Sequence, residues 1–472
     1  MLEYILYFQK YANLQRNINN ISNLHFKGRK MKRALTYVAL GGLLTSSVSA
    51  FDYKVSGSAE SFTKWGFNNQ KLDQNTNAAP TESFTTLFAQ LNLNADLGAG
   101  FKAGLGGAIG GLAFDSTRND PAVDGIGSPV VTSYFGVAWD KEKIQNYMVQ
   151  NAFLEYTFGD HFYIKAGRYE SGKVGEWFSG YTQGAETYVK LGVVKAWGFF
   201  SNRRAFAYDQ WFNDYYRVLG TYAGGATRNI YAAGLDIGAG GFTLSGFSYF
   251  TQGIVTAPGV SLTFDSNPSK ESQGFKSLTK VRFLAPVAAL EQRGLGKRWG
   301  EIEKYSYTLH IDERLEVNNF FFGAGYYQNF GNANELIGRW GNPLWLDIWT
   351  GSAYDIGQSL NDIIGRNAVT GYGYFGAKHG NFNWQILGRG TNSPRSSEQS
   401  VALLLDYQIR EDFAVGGKVE WFSDTTKAGY SPLQGSYNGL LDESGALSNS
   451  GLLDKKRKDD RSHLFFYLRH TF

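Results

Sequence analysis

A chain of 472 residues with 58 glycines, 16% aromatic residues, only 9 prolines and 19% charged residues fits an all-β fold better than a string of soluble domains. It has no cysteine, which excludes disulfide frameworks, thiol catalysis and cysteine-ligated zinc or iron-sulfur sites. Residues 1–50 hold seven of the 46 Lys/Arg and one of the 42 Asp/Glu, leaving 39 against 41 beyond them; the formal charge of +4 therefore becomes −2, and nothing argues for nucleic-acid binding.

The first 50 residues read as processing signals. Met31-Lys32-Arg33 opens a basic segment, Ala34 to Leu44 is apolar, and Val48-Ser49-Ala50 is a small-x-small cleavage site, so 31–50 are expected to be a signal peptide cleaved near Ala50/Phe51. Residues 1–30 read as an upstream mis-start extension: Lys27-Gly28-Arg29 can be encoded by purine-rich codons that resemble a ribosome-binding site before Met31. No later segment approaches the roughly 18–20 uninterrupted apolar residues of a membrane helix, so a spanning structure has to be built from strands.

Sixteen strands are legible in chain order, over 52–65, 84–97, 101–112, 148–158, 162–169, 185–192, 194–201, 229–238, 242–251, 305–314, 317–329, 368–378, 382–391, 399–409, 413–423 and 462–472. The segment Leu87–Leu97 sets the pattern, with Leu87, Ala89, Leu91, Leu93, Ala95 and Leu97 on one face and Phe88, Gln90, Asn92, Asn94 and Asp96 on the other. Strands of about 9 to 11 residues alternating in this way suit a tilted bilayer crossing, whereas sandwich strands average about five or six. Val260–Phe264 and Phe275–Phe283 add a further hairpin inside 252–304. The expectation is one all-β domain over 51–472, a transmembrane antiparallel β-barrel of 18 strands with 16 as the fallback.

Orientation follows from the turns. Gly98-Ala99-Gly100-Phe101, Gly159-Asp160-His161-Phe162, Ala239-Gly240-Gly241-Phe242, His379-Gly380-Asn381-Phe382 and Arg410-Glu411-Asp412-Phe413 repeat one device, a short turn followed by Phe. Long excursions over 113–146, 202–228, 252–304, 331–367 and 425–461 alternate with these turns, as extracellular loops alternate with periplasmic turns in outer-membrane barrels. Phe101, Phe162, Phe242, Phe382 and Phe413 are expected at the periplasmic lipid rim with Phe472, and Trp421 towards the opposite rim. Keeping Phe162 outward turns Arg168 towards lipid while Lys165 faces inward, unless Gly167 marks a bulge.

The last segment, Leu464 to Phe472, alternates and ends on Phe. It resembles the C-terminal signal read by the barrel assembly machinery. Ile164-Lys165-Ala166-Gly167-Arg168-Tyr169, followed by a Gly-rich aromatic loop, resembles the strand-to-constriction transition of OprD-like porins. Trp177 to Arg204, with Gly180-Tyr181, Gln183-Gly184-Ala185-Glu186 and Arg203-Arg204, is similar to the Helicobacter Hof family of outer-membrane proteins. The resemblance implies passive diffusion of small hydrophilic solutes, organic acids or amino acids among them, through a lumen narrowed by an inward loop near 170–184, with neither enzymatic chemistry nor a cofactor. It also implies a ladder of basic side chains facing acidic ones. Constriction and lumen candidates are Lys165, Arg168, Glu170, Lys173, Glu176, Lys190, Arg203, Arg204, Arg389, Asp406, Lys418, Glu420 and Arg469, with Glu155 and Asp312 among the opposing acids. The competing reading is that such charges pair with neighbours and merely solvate the wall.

Other signals weigh less. The run Gly98–Gly111 lacks the Gly-Lys-Ser/Thr ending of a phosphate loop, and the six histidines show no metal-ligand spacing. Lys455-Lys456-Arg457-Lys458-Asp459-Asp460-Arg461 falls in the last external loop, where it meets lipopolysaccharide phosphates or forms a solvated tip. Expected partners are thus outer-membrane lipid and lipopolysaccharide, the assembly machinery through the Phe472 strand, small solutes, and a second copy if the barrel is a homo-oligomer. The alternative function is a barrel-anchored adhesin or surface-binding protein.

Overall fold

Alternation at period two leaves each strand one apolar and one polar face, and only a closed sheet satisfies every backbone group while keeping the apolar face in lipid. The computed structural model describes residues 52–71, 80–118, 134, 146–172, 177–217, 228–270, 273–289, 303–331, 344, 363, 365–430 and 452–472. The expected signal peptide, the extension before it, and Lys173 and Glu176 lie outside the described residues.

The strands are β1 (Asp52–Gly66), β2 (Phe84–Gly98), β3 (Phe101–Asp115), β4 (Tyr147–Phe158), β5 (Phe162–Glu170), β6 (Tyr181–Leu191), β7 (Val194–Ala207), β8 (Phe212–Tyr216), β9 (Ile230–Ala239), β10 (Phe242–Thr251), β11 (Val255–Asp265) and β12 (Phe275–Leu284). They continue as β13 (Val287–Ala288), β14 (Tyr307–Val317), β15 (Phe320–Phe330), β16 (Val369–His379), β17 (Phe382–Asn392), β18 (Ser396–Arg410), β19 (Phe413–Thr426), β20 (Arg457–Asp460) and β21 (His463–Thr471). Among the described residues, 18 strands close into an antiparallel barrel. Each pairs with the next in the wall, and β21 pairs back onto β1 from Ser58↔Thr471 to Gly66↔His463. The short strands β8, β13 and β20 append to the loop-side ends of β7, β11 and β19.

The hairpin expected inside 252–304 is β11–β12, paired from Gly259↔Leu284 to Asp265↔Leu278. That stretch is therefore not one long excursion, because Gln252–Ile254 is a tight turn between β10 and β11. Several strands run longer than their alternation shows; β18 begins at Ser396 rather than 399.

The outer face follows the expected phase. Leu87, Leu91, Leu93, Leu97, Val401, Leu403, Leu405, Val419 and Trp421 are exposed, as lipid-facing side chains are before lipid is added. Phe101, Phe242, Phe382 and Phe472 are exposed beside the short turns, and Phe162 pairs with the outward Phe158 and Val189. Gly100 (φ +87°) allows one such turn, since a Cβ there would sit 2.1 Å from the Thr157 carbonyl oxygen. One carboxylate interrupts the belt: Glu313, in phase with Ile311 and Val317, accepts hydrogen bonds from Ser277 Oγ (2.7 Å) and Thr279 Oγ1.

The inner face is where the packed core sits. Inward Trp197, Phe199, Tyr249, Tyr327, Tyr372 and Leu387 gather with Trp177 and Phe178 into one buried cluster. A second cluster unites Phe88, Met148, Tyr134 and Tyr181 with Phe212 and Tyr215 of β8.

Candidate functional site, an ion-paired lumen with two infolded segments

Two segments reach in from the loop side. The first is the connection between β5 and β6, whose described residues Trp177 and Phe178 are almost wholly buried. Arg204 holds it, donating from Nε to the Ser179 carbonyl (2.7 Å) and from Nη2 to the Ser179 hydroxyl (3.0 Å), with its guanidinium over the Phe178 and Phe206 rings. The second is the hairpin from β7 to β8, closed by Tyr208 and Trp211, which exchange backbone hydrogen bonds. Arg203 Nη1 donates to the Tyr215 carbonyl (3.2 Å), and Tyr215 donates to the Gln150 carbonyl (2.7 Å). The arginine pair thus anchors both segments rather than standing free in the pore. An extra residue in β7, where Gln183 pairs with Arg203 and Gly184 with Ser201, makes this geometry possible.

Arg168 occupies a different place from Lys165. It stands opposite Ala152 and Gln183, donates from Nε to Gln183 Oε1 (2.9 Å) and lies 4.5 Å from the Tyr215 ring. Gly167 has φ +122°, and a Cβ there would meet the Ala152 carbonyl, yet the pairing of β5 stays in register on both sides. The expected bulge is absent from β5 and present in its neighbourhood, between Gly106 and Ala108 and between Gln183 and Gly184.

Lys165 faces the lumen, 3.4 Å from Glu155 and 3.9 Å from the Phe153 ring centre. Glu170 accepts from the Tyr208 hydroxyl (2.7 Å), tying the end of β5 to the β7–β8 hairpin. Arg389 and Glu398 pair at 3.1 Å with 2% and 0% of their side chains exposed. Lys418 and Glu420 pair at 2.8 Å, at 3% and 2%, with Ser400 Oγ donating to Glu420 and His463 close by. Arg469 is bound to Glu60 at 2.9 Å across the β21–β1 seam but is 46% exposed. Asp406 faces inward from β18 opposite Asn383.

Lys190 belongs to neither infolded segment. It pairs with Asp160 at 2.9 Å beside an open recess of about 590 Å³ at the turn end, lined also by Tyr188, Lys195 and Asp236. Lys190 also holds the pKa of the Asp160 carboxyl, which sits in a turn, below the ordinary carboxylate value, through its hydrogen bond and its charge.

Sequence reasoning missed Asp209, at the tip of the β7–β8 hairpin. It is 6% exposed, its carbonyl accepts from Thr86 Oγ1 (2.5 Å), and its Oδ1 accepts from the Gln210 backbone N–H (3.0 Å). Burial, then the Glu60 charge, push it up to about 6. The aromatic density of Phe206, Tyr208, Trp211, Phe212, Tyr215 and Tyr216 inside an external excursion was the available signal of an infolded element.

A closed 18-stranded antiparallel barrel is the architecture of the OprD/Occ porins, and the protein resides in the Gram-negative outer membrane. The chain belongs to the family described as "Putative outer membrane protein", which matches residues 38–472. Among solved structures, Acinetobacter baumannii OccAB2 (9% identity, TM-score 0.60) and Pseudomonas aeruginosa OccK9 (OpdG) (11% identity, TM-score 0.60) each match 89% of this chain and 98% of their own. Pseudomonas aeruginosa OccK5 (OpdH) matches over the same shares at 11% identity and TM-score 0.55. At such identities the likeness is one of fold. A search of the curated proteins gave no match.

Proposed function

We propose that the protein is a diffusion channel for small hydrophilic solutes, constricted by the segments around Trp177–Phe178 and Tyr208–Trp211. The observation that carries this reading is the wet, ion-paired turn-side half of the lumen leading up to those infolded segments. Paired charges there keep water and a local field in the pore without occluding it, and a field of this kind biases which ions and charged solutes enter. Lys165, Asp406 and Arg469 are the inward charges best placed to touch a passing solute. Organic acids and amino acids suit a path that offers both signs within a few ångströms.

Partners follow from the outer surface. Lys458 Nζ lies 5.8 Å from the Trp421 ring centre at the outer rim, which supports contact with lipopolysaccharide phosphates. The alternating outward residues of β21, ending with Phe472 over Gly57, support recognition by the assembly machinery. Single-channel recording of folded, heat-modifiable protein in planar bilayers tests the reading. Stepwise conductance with a reversal potential in a salt gradient is expected; a silent protein would promote the adhesin.

A further inference from the structure

Three inward cations of the turn-side lumen are built in the same way, from a glycine, a ring and a charge. Phe153 of β4 stands directly across from Gly104 of β3, Phe321 of β15 from Gly376 of β16, and Tyr467 of β21 from Gly416 of β19. In each pair a Cβ on the glycine would overlap the ring, so the ring fills space that any other residue would occupy itself. A cation lies over each ring: Lys165 Nζ is 3.9 Å from the Phe153 centre, the Arg314 guanidinium 4.2 Å from that of Phe321, and the Arg469 guanidinium 5.6 Å from that of Tyr467. Each cation also has one carboxylate, Glu155 at 3.4 Å, Glu316 at 2.7 Å and Glu60 at 2.9 Å, and keeps 17%, 32% and 46% of its side chain exposed, respectively. We infer that Gly104, Gly376 and Gly416 are positioning residues for ion selectivity: each seats a ring against the wall, and the ring fixes the cation that meets passing ions. The inference rests on the channel reading and adds Arg314 to the charges named there.

Two attractions from different sides hold each cation. A carboxylate alone leaves a long side chain free to swing about the contact and cancels much of its field. The negative face of a ring supplies a second hold that carries no net charge, so the cation stays in place and its field survives. Where such a charge stands along a pore decides which ions it favours. The ring has to lie close to the wall for this, because a Cβ opposite would push it into the path. Glycine removes that obstacle while bringing no charge of its own. Phe247 of β10 is the uncharged counterpart: it is seated on Gly259 of β11 in the same manner, and among the described residues no cation lies over it. At Gly376 a Cβ would also meet the Trp384 carbonyl oxygen, whereas at Gly104 and Gly416 the nearest atoms are all in side chains, which makes these two the clean positions to substitute.

Gly104→Ala and Gly416→Ala displace the ring and keep every charge. In planar bilayers under a salt gradient, each should shift the permeability ratio towards cations by about two- to fivefold, the worth of a partly exposed cation–ring contact. Phe321→Leu, which removes a ring and keeps Gly376, should do the same through Arg314. Gly259→Ala makes the same displacement at an uncharged ring and should leave the ratio at its wild-type value. Unchanged ratios in the two charged-stack alanine variants, or an equal shift in Gly259→Ala, overturn the inference. A readout that needs no current separates it from the channel reading. Reductive methylation with carbon-13 formaldehyde gives Lys165, assigned by its loss in Lys165→Arg, a methyl resonance displaced by the Phe153 ring, and Gly104→Ala should return it towards the position of exposed lysines. If the protein is silent in bilayers and the resonance still moves, the channel reading fails and the seating stands. A resonance that stays in place overturns the seating whatever the currents show. If an alanine variant fails to fold, Phe153→Leu and Phe321→Leu decide, and unchanged ratios in both overturn the inference.

Discussion

Four ion pairs in the loop-side half of the barrel are sealed from water, whereas three in the turn-side half stand partly in it. Arg389–Glu398, Lys418–Glu420, Lys64–Glu82 and Arg395–Asp424 are all nearly inaccessible. Arg469–Glu60, Lys190–Asp160 and Lys195–Asp236 keep part of their surface free. Lys418–Glu420 and Arg469–Glu60 both face inward from wall strands; the difference is what lies over them. Coverage converts a charge from a solute contact into a structural element, because a buried ion that loses its partner cannot fall back on water.

The sharpest test of that contrast is Glu420→Gln, which strips Lys418 and Ser400 of a buried partner. A loss of about 3–5 kcal/mol is expected, read from the urea midpoint of the refolded, heat-modifiable form. A change below about 1 kcal/mol would erase the distinction between the halves. Arg204→Ala comes next. It removes two hydrogen bonds to Ser179 and the cover over Phe178, and should cost about 2 kcal/mol while raising single-channel conductance; stability loss at unchanged conductance would mean that the segment does not narrow the path. Arg469→Gln should move stability by no more than about 1 kcal/mol, since its pair is half-exposed, but shift the reversal potential towards cation preference. The smallest effect belongs to Lys190→Ala. Its unfolding curve should overlay that of the wild type, while the Asp160 carboxyl, relieved of Lys190, titrates closer to its ordinary value by NMR.

The barrel was readable because lipid enforces alternation residue by residue. Leu87–Leu97, Ser400–Ile409 and Phe413–Trp421 announce their faces without help from distant segments, and the turn-then-Phe repeat adds the direction. The interior was less readable, because its chemistry depends on neighbours far apart in the chain. Inward phase puts Arg389, Lys418 and Glu420 on the inner wall, but nothing near them in sequence shows that they are buried as ion pairs. The sequence points to an inward loop over 170–184, whose Trp177 and Phe178 are buried; the infolded hairpin at 208–211 is not legible because strand periodicity is silent about excursions. Arg203 and Arg204 read as pore charges in sequence, and the β7 bulge beside which they bind the infolded segments leaves no local signature.

The β1–β21 seam joins Gly57 to Phe472 through reciprocal backbone hydrogen bonds of 2.9 and 3.1 Å. A polypeptide made only as far as residue 460 therefore has every other strand and still lacks its final neighbour, leaving two raw edges of unpaired amides that no amount of internal packing can hide. Vectorial synthesis and export thus cannot ratchet the fold forward piece by piece. The chain has to travel unclosed, in the keeping of something else, until residues 461–472 arrive.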